Sequence, residues 1–202
     1  MFNIYCVTSR ILCEEDFLHR IEKIAISHPA GIILREKDLS ELQYGQLAKQ
    51  VVKICTKHQI PCVLHSFVDT AIELNAKAIH LPLPKMREMS DVQRRHFKII
   101  GVSCHSTEEA REAERLGCTY IIAGHIFATG CKKGLPGRGI RFLEGICKSV
   151  SVPVYAIGGI ECNNARSVCK AGAKGACIMS GFMTCNDLKS FMMSFEEVDD
   201  SI

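Results

Sequence analysis

The sequence lacks the features that mark membrane-spanning, secreted and zinc-ribbon chains. No apolar run reaches the roughly 18 residues that cross a bilayer. The N-terminal stretch has no basic region ahead of its apolar residues, so we expect no signal peptide. None of the 12 cysteines forms a C-x-x-C pair, which excludes zinc-ribbon spacing. We therefore predict a cytoplasmic protein whose cysteines are small buried thiols rather than disulfides or metal ligands.

The charge balance also lacks a strong bias toward one sign. The net charge is +3 over 202 residues, which gives no broad basic field for nucleic acid. The hydrophobic share of 47% and the charged share of 23% are those of an ordinary globular chain. No Pro/Ser-rich linker interrupts the sequence, so we predict one domain over residues 1–202.

What the sequence does contain is an alternation of short apolar runs and longer amphipathic stretches. The runs are rich in β-branched residues and nearly continuous in apolar character, as in parallel strands buried on both faces. The predicted strands are residues 2–8, 31–36, 61–66, 77–82, 98–105, 120–127, 153–160 and 175–181.

Helical patterns separate these strands. The clearest cover residues 40–59, 106–117, 163–172 and 187–198. Ser40 is a plausible N-cap of the first, and Ser106 with Glu109 predicts a capping box on the second. The buried face predicted for helix 40–59 consists of Leu42, Leu47, Val51 and Ile54.

Eight strand–helix units in this length predict an α/β fold, a compact (β/α)₈ TIM barrel. A doubly wound open sheet is the alternative fold. It usually carries G-x-G-x-x-G after the first strand, and Thr8–Ser9–Arg10 does not supply it. In a barrel, function lies at the C-terminal ends of the strands.

Glycines follow the last two predicted strands, where barrels recurrently bind a phosphate. The seventh strand ends with Gly158 and Gly159, and the eighth with Met179 and Ser180. Glycine lets backbone N–H groups approach an anion closely, so we predict a phosphate here. Ordinary turn chemistry is the alternative explanation.

The connection over residues 128–139 is rich in glycine and carries Lys132, Lys133 and Arg138. Such loops often cover or bind an anionic substrate, and a solvated surface loop is an equal alternative from the residues alone. His125 precedes it, near the end of the sixth strand, and is a candidate general acid or base. His65 and His80 end the third and fourth strands similarly, and all three histidines fit equally well as hydrogen-bonded core residues.

Arg35 and Lys37 alternate on the second strand with Glu36 between them. Period-two alternation places both cations on one face, toward the top of the barrel interior, and Glu36 on the other. Two cations there favour a carboxylate or phosphate ligand.

Several segments resemble the thiamin phosphate synthase superfamily: ILREKD (33–38), GVSCHS (101–106), YIIAGHIFATGCKKGLPGRG (120–139), VPVYAIGGI (152–160) and GACIMSG (175–181). The resemblance runs from Tyr5 to Gly181. The superfamily contains synthases, which couple a pyrimidine pyrophosphate to a thiazole phosphate, and thiazole tautomerases of the TenI type. The synthases hold Mg²⁺ on two Asp residues, and Ser66 and Lys85 stand at the matching positions here.

The missing carboxylates and the Gly-His-x-Phe pattern at His125 resemble the tautomerase branch. This resemblance implies an isomerase that converts an exocyclic-ylidene carboxythiazole phosphate to its aromatic tautomer, with His125 as acid and base. It implies substrate contacts at Arg35, Lys37, Thr129 and Lys132, and phosphate contacts at the glycine end. Ser103 matches a pyrimidine contact of the synthases, and Cys131 matches a cysteine of the family loop.

Two other functions stay open at this point. One is a thiamin phosphate synthase that has replaced its metal ligands, and the other is a non-catalytic barrel that binds a thiazole phosphate. We expect a small-molecule thiazole phosphate partner, no cofactor and no metal, and neither nucleic acid nor membrane. A homo-oligomer is compatible with the sequence.

Overall fold

The computed structural model describes residues 2–130 and 134–198. Within them, eight parallel strands follow one another around a closed barrel. They are β1 Asn3–Val7, β2 Gly31–Leu34, β3 Cys62–His65, β4 Ala78–Pro82, β5 Ile99–Cys104, β6 Tyr120–Gly124, β7 Val154–Ile157 and β8 Gly175–Ile178. Pairing of β1 with β8, Asn3 opposite Gly175, closes the barrel. The predicted (β/α)₈ barrel is confirmed.

Helices surround the barrel on its outside. Those of the described residues are α1 Phe17–Ile26, α2 Glu41–Lys57, α3 Val68–Glu73, α4 Leu83–Glu88, α5 Asp91–His96, α6 Thr107–Arg115, α7 Ile140–Ser149, α8 Cys162–Lys170, α9 Ser180–Thr184 and α10 Leu188–Met193. Short 3₁₀ turns at Arg10–Leu12 and Glu196–Val198 complete them. None of the helices in this described part of the chain is long and apolar enough to cross a membrane.

The strands are shorter than their apolar runs. The predicted strand over 120–127 ends at Gly124, and the one over 153–160 ends at Ile157. Beyond the strand ends, Ile126 and Phe127 pack in the core, and His125, Gly158, Gly159 and Ile160 line the mouth of the barrel. Apolar character alone therefore marks burial and does not fix where a strand ends.

The helix caps follow the predicted chemistry, with one partial exception. Ser40 caps α2 and forms a capping box with Gln43. Ser106 accepts from the N–H of Glu109. The Glu109 carboxylate bonds the N–H of His105 at 2.6 Å instead, so the box predicted there is half formed.

The predicted buried face of α2 is wrong at its first residue. Leu42 is 74% exposed. The residues that α2 buries are Tyr44, Ala48, Val51 and Cys55. Burial therefore begins at Tyr44, whose hydroxyl donates to the carbonyl of Leu34 at 2.8 Å.

Two apolar clusters hold the barrel together. One fills the space between strands and helices, and the other fills the barrel interior with Tyr120, Tyr155, Ile33 and Cys177 among its members. Inside, Tyr155 makes edge-on ring contacts with Tyr5 and Tyr120 at centroid distances of 5.1 and 5.7 Å. The cysteines of the described residues are free thiols.

Candidate active site

A cavity of about 1100 Å³ opens at the C-terminal ends of the strands. It brings together nearly all of the residues proposed from sequence: Arg35, Lys37, Ser103, His125, Thr129, Gly158, Gly159, Met179 and Ser180. Lys132 and Cys131 lie outside the described residues. The cavity is large enough for a small phosphorylated substrate.

The glycine end of the cavity is built by close backbone packing. Gly158 and Gly159 have φ values of +99° and +64°, which favour glycine. A Cβ at Gly158 would lie 2.4 Å from the His125 Cβ, and one at Gly159 would lie 2.4 Å from the Ala128 carbonyl oxygen. The α8 helix starts just beyond, at Cys162, and its N-terminal dipole favours an anion at this end.

A hydrogen-bonded column runs from the cavity into the barrel interior. Ser103 Oγ lies 2.8 Å from His80 Nε2, and His80 Nδ1 lies 3.1 Å from the hydroxyl of Tyr120. Burial, together with the charge of Arg35, lowers the pKa of His80 to about 3. His80 is therefore neutral, and it lies beneath the cavity as a partner of Ser103 rather than in the cavity lining.

His65 is the second buried histidine of this region. Its ring stacks on His80 at 5.8 Å, and its Nδ1 lies 2.7 Å from Ser66 Oγ. Burial is the main reason that the pKa of His65 falls to about 2; electrostatic coupling to the His80 ring and the positive charges of Arg35, Lys37 and Lys85 add to the shift. Both histidines are therefore buried and hydrogen-bonded. This agrees with the core role that the sequence left open beside an acid–base role.

Arg35 and Lys37 follow β2 and both line the cavity, although β2 itself ends at Leu34. Glu36 lies between them and is 3% exposed, outside the cavity lining. Desolvation by burial raises the pKa of Glu36, while hydrogen bonds from Thr8 and the N–H of Arg10 oppose the shift. As expected from the alternation, Arg35 and Lys37 point to one side and Glu36 to the other. The three residues lie in the turn after β2, however, and not on the strand itself.

His125 lines the cavity directly after β6, next to Gly158. Its Nε2 lies 3.4 Å from the Leu135 carbonyl oxygen, which belongs to the loop that follows. His105 lies on the same wall, and its Nδ1–H donates to the Gly124 carbonyl at 2.9 Å. Because a carbonyl only accepts, this bond leaves Nε2 of a neutral His105 as the acceptor.

The residues at the strand β3 and β4 ends do not fit the Mg²⁺ that the synthase resemblance implies. Mg²⁺ prefers carboxylate oxygens. Ser66 is bonded to His65, and the Lys85 ammonium donates to the Ser66 carbonyl at 3.0 Å and lies over the Phe67 ring. In residues 2–130 and 134–198, no group of three or more His, Cys, Asp or Glu could hold a metal ion.

Sequence reasoning missed the part of the cavity formed by the C-terminal segment. Phe191, Ser194 and Phe195 line it beyond the glycine end, with Cys185 before them. The segment shows an ordinary amphipathic helix pattern, which carries no signal that it reaches the barrel mouth. Arg138 also lines the cavity, and the cationic loop was the signal for it.

Comparison with known proteins identifies the family. A family model described as Thiamine monophosphate synthase matches residues 4–182. The chain belongs to the thiamine monophosphate synthase family. A thiamine-phosphate synthase of Clostridium acetobutylicum is 36% identical over 93% of this chain and 90% of its own length. Thiamine-phosphate synthase 2 of Streptococcus pneumoniae is 32% identical over 95% and 92%.

Solved structures of this family agree with the fold. A thiamine phosphate pyrophosphorylase from Pyrococcus furiosus superposes with a TM-score of 0.81 at 26% identity, over 98% of this chain and 95% of that one. A 3-hexulose-6-phosphate synthase, at 14% identity and a TM-score of 0.71, shares the barrel fold alone.

These relatives correct the function expected from sequence. The thiazole tautomerase assignment, with its isomerase chemistry, is wrong, because relatives at 32% to 36% identity over nine-tenths of the chain are named thiamine-phosphate synthase. The assignment relied on the carboxylates missing from two short loops, after β3 and β4, and on the Gly-His-x-Phe pattern at His125. Similarity along the whole barrel outweighs these local features.

Proposed function

We propose that this enzyme is a transferase of the thiamine-phosphate synthase type, which joins a pyrimidine diphosphate to a thiazole phosphate. The observation that carries the proposal is the thiamine-phosphate synthase name of relatives that align over nearly the whole barrel. The cavity supports it, because its two ends suit two phosphorylated substrates at once.

The glycine end suits the thiazole phosphate. Gly158, Gly159, Met179 and Ser180 all line this end of the cavity, and both glycines have positive φ values. Backbone N–H groups and a helix N-terminus bind a phosphate without a metal. Thr129, across the loop from them, lines the same wall.

The cationic end suits the diphosphate. Arg35 and Lys37 would hold its oxygens, the first through a two-pronged guanidinium and the second as a point charge. In the reaction, the carbon–oxygen bond to the diphosphate breaks and its electron pair leaves with the diphosphate. The thiazole nitrogen forms the new bond to that carbon. Negative charge therefore develops on the leaving oxygen, where fixed cations stabilise it.

Ser103 and His125 lie between these two ends. The condensation breaks no carbon–hydrogen bond, so it requires no general base at carbon. We propose that Ser103 contacts the pyrimidine. We propose that His125 has a packing role, in which its side chain lies against Gly158 and forms part of the cavity wall. The His80 hydrogen bond holds Ser103 in place for this contact.

A direct assay tests the function. The full chain is incubated with the pyrimidine pyrophosphate and the thiazole phosphate, and thiamin phosphate is measured by oxidation to its fluorescent product. We expect multiple turnovers, with a loss of about tenfold or more in Arg35→Gln. Binding of the thiazole phosphate without any thiamin phosphate would contradict the proposal and would favour a non-catalytic binding protein.

A further inference from the structure

Positive charge is concentrated at the ends of β2 and β4. Arg35 and Lys37 line the main cavity beside His65, and Lys85 lies on the first helix after β4. The Lys85 ammonium belongs to a neighbouring cavity of about 310 Å³ and donates to the Ser66 carbonyl. His65 and His80 below these cations are neutral, so they add no further positive charge.

Four carboxylates of the same region form hydrogen bonds with other side chains, and a fifth, Glu88, lines the neighbouring cavity with Lys85. Glu36 accepts from Thr8 at 2.6 Å, and Asp38 is bonded to Arg10. Glu41 accepts from Thr70 at 2.9 Å, and Asp69 accepts from Gln93 at 3.0 Å. None of these four carboxylates lines the main cavity.

Among the described residues, the acidic side chain that lines the main cavity is Glu161. It follows β7 at the start of α8, on the glycine side of the barrel mouth. The N–H of Asn164 donates to the main-chain carbonyl of Glu161 at 3.1 Å, and the N–H of Glu161 donates to Oδ1 of Asn164 at 3.0 Å. In this part of the structure no carboxylate pair therefore faces the cationic end of the main cavity, so a divalent cation lacks the carboxylate ligands that Mg²⁺ prefers there.

We propose that this cavity binds diphosphate directly on Arg35 and Lys37, without Mg²⁺. For the reaction, this rests on the proposed function, since the diphosphate is its leaving group. The two side chains supply the two positive charges that the metal would supply, and both line the cavity. The guanidinium suits two oxygens of one phosphate and the ammonium suits the other phosphate.

The binding test uses inorganic diphosphate and the full chain. Isothermal titration is run once in excess EDTA and once in millimolar Mg²⁺. We expect binding in EDTA that is at least as tight as in Mg²⁺, because Mg²⁺ in solution complexes diphosphate and competes with a metal-free site, whereas a metal-bridged site loses more than about tenfold in EDTA. Undetectable binding in EDTA with clear binding in Mg²⁺ would overturn the proposal.

Variants locate the site. Arg35→Gln and Lys37→Gln should each weaken diphosphate binding about tenfold or more in EDTA. Arg35→Lys keeps the charge and should weaken it less than Arg35→Gln. Lys85→Gln should stay within about threefold, because the ammonium points to the Ser66 carbonyl. Lys148→Gln on the outer helix α7, paired there with Glu144, is the control and should change nothing.

The same preparations separate the binding claim from the proposed function. Thiamin phosphate formed in EDTA supports both. Thiamin phosphate formed only with Mg²⁺, together with metal-dependent diphosphate binding, keeps the function and rejects this inference. Metal-free diphosphate binding that Arg35→Gln abolishes, without any thiamin phosphate, keeps this inference and rejects the function. Full binding by Arg35→Gln and Lys37→Gln rejects the site.

Discussion

The hydroxyl of Thr8 donates a 2.6 Å hydrogen bond to Oε1 of Glu36 and so joins the ends of the first two strands. The other oxygen of Glu36 accepts from the N–H of Arg10 at 2.9 Å. Thr8 Oγ1 in turn accepts from the backbone N–H of Arg35 at 2.9 Å. This buried pair therefore fixes the turn that presents Arg35 and Lys37 to the cavity.

Removing the Thr8 hydroxyl should weaken both the fold and the cationic end. Thr8→Val keeps the shape but leaves the Glu36 carboxylate and the Arg35 N–H short of a partner. We expect a loss of roughly 1–3 kcal/mol in the free energy of unfolding, measured by urea denaturation. The KM for the pyrimidine diphosphate should rise while kcat changes less. The control is Thr56→Val on the exposed side of α2, expected within about 0.5 kcal/mol of the parent.

The two buried histidines should make the protein less stable as the pH falls from 6.5. Their pKa values are about 2 and about 3 in the folded chain, against about 6.5 when unfolded. Below about pH 6.5 the unfolded chain therefore binds protons that the folded chain does not. Each histidine then costs about 1.4 kcal/mol of stability per pH unit. Glu36 has the opposite effect at lower pH. Because its pKa is raised in the folded chain, protonation of Glu36 favours the folded state as the pH falls.

Urea denaturation between pH 7 and about pH 5 measures this dependence. His80→Gln should reduce the slope of the free energy of unfolding against pH by about 1.4 kcal/mol per pH unit, which is the contribution of one proton. Ser103→Ala removes a hydrogen bond to the same ring without removing the titrating group, so its slope should equal that of the parent. An unchanged slope in His80→Gln would contradict the assignment.

Gly101 on β5 should be intolerant of a side chain. A Cβ there would lie 2.0 Å from Cζ of Tyr120, whose ring is buried and hydrogen-bonded to His80. We expect Gly101→Ala to lose roughly 3 kcal/mol, seen as a lower melting temperature by circular dichroism. Gly130→Ala is the matched control, because a Cβ at Gly130 meets nothing within 4 Å. Equal melting temperatures for the two variants would argue against the packing described.

Gly158 should be needed for binding of the thiazole phosphate as well as for folding. A Cβ there would push against His125, and the φ of +99° is itself unfavourable for alanine. Gly158→Ala should raise the KM for thiazole phosphate about tenfold. Gly117→Ala has a similar φ of +87° but open space around its Cβ. It should therefore lower stability and leave that KM unchanged.

His125 should contribute little to the chemical step of the proposed condensation. General acid–base catalysis usually contributes ~10²–10⁴-fold, and the condensation moves no proton at carbon. We expect kcat of His125→Gln to fall by less than about tenfold in the thiamin phosphate assay. A fall of about a hundredfold with an unchanged melting temperature would show that His125 transfers a proton in this enzyme.

The sequence pattern was enough to predict the barrel. Eight apolar runs, separated by amphipathic stretches with caps at Ser40 and Ser106, leave one closed arrangement that buries every strand on both faces. It also placed the candidate residues at one mouth, because the ends of parallel strands meet there. The two glycines after β7 were recognisable for the same reason.

Which side chains share an environment depends on how the strands pack together. Periodicity puts Glu36 on the opposite face from Arg35, but only the packing of β1 against β2 gives it Thr8 as a partner. His65 and His80 look alike as strand-end histidines, and burial in the assembled barrel makes both neutral. The C-terminal residues reach the cavity through contacts that no local pattern encodes. Burial, hydrogen bonding and charge at the site depend on distances between separate strands, and those distances exist only once the barrel has closed.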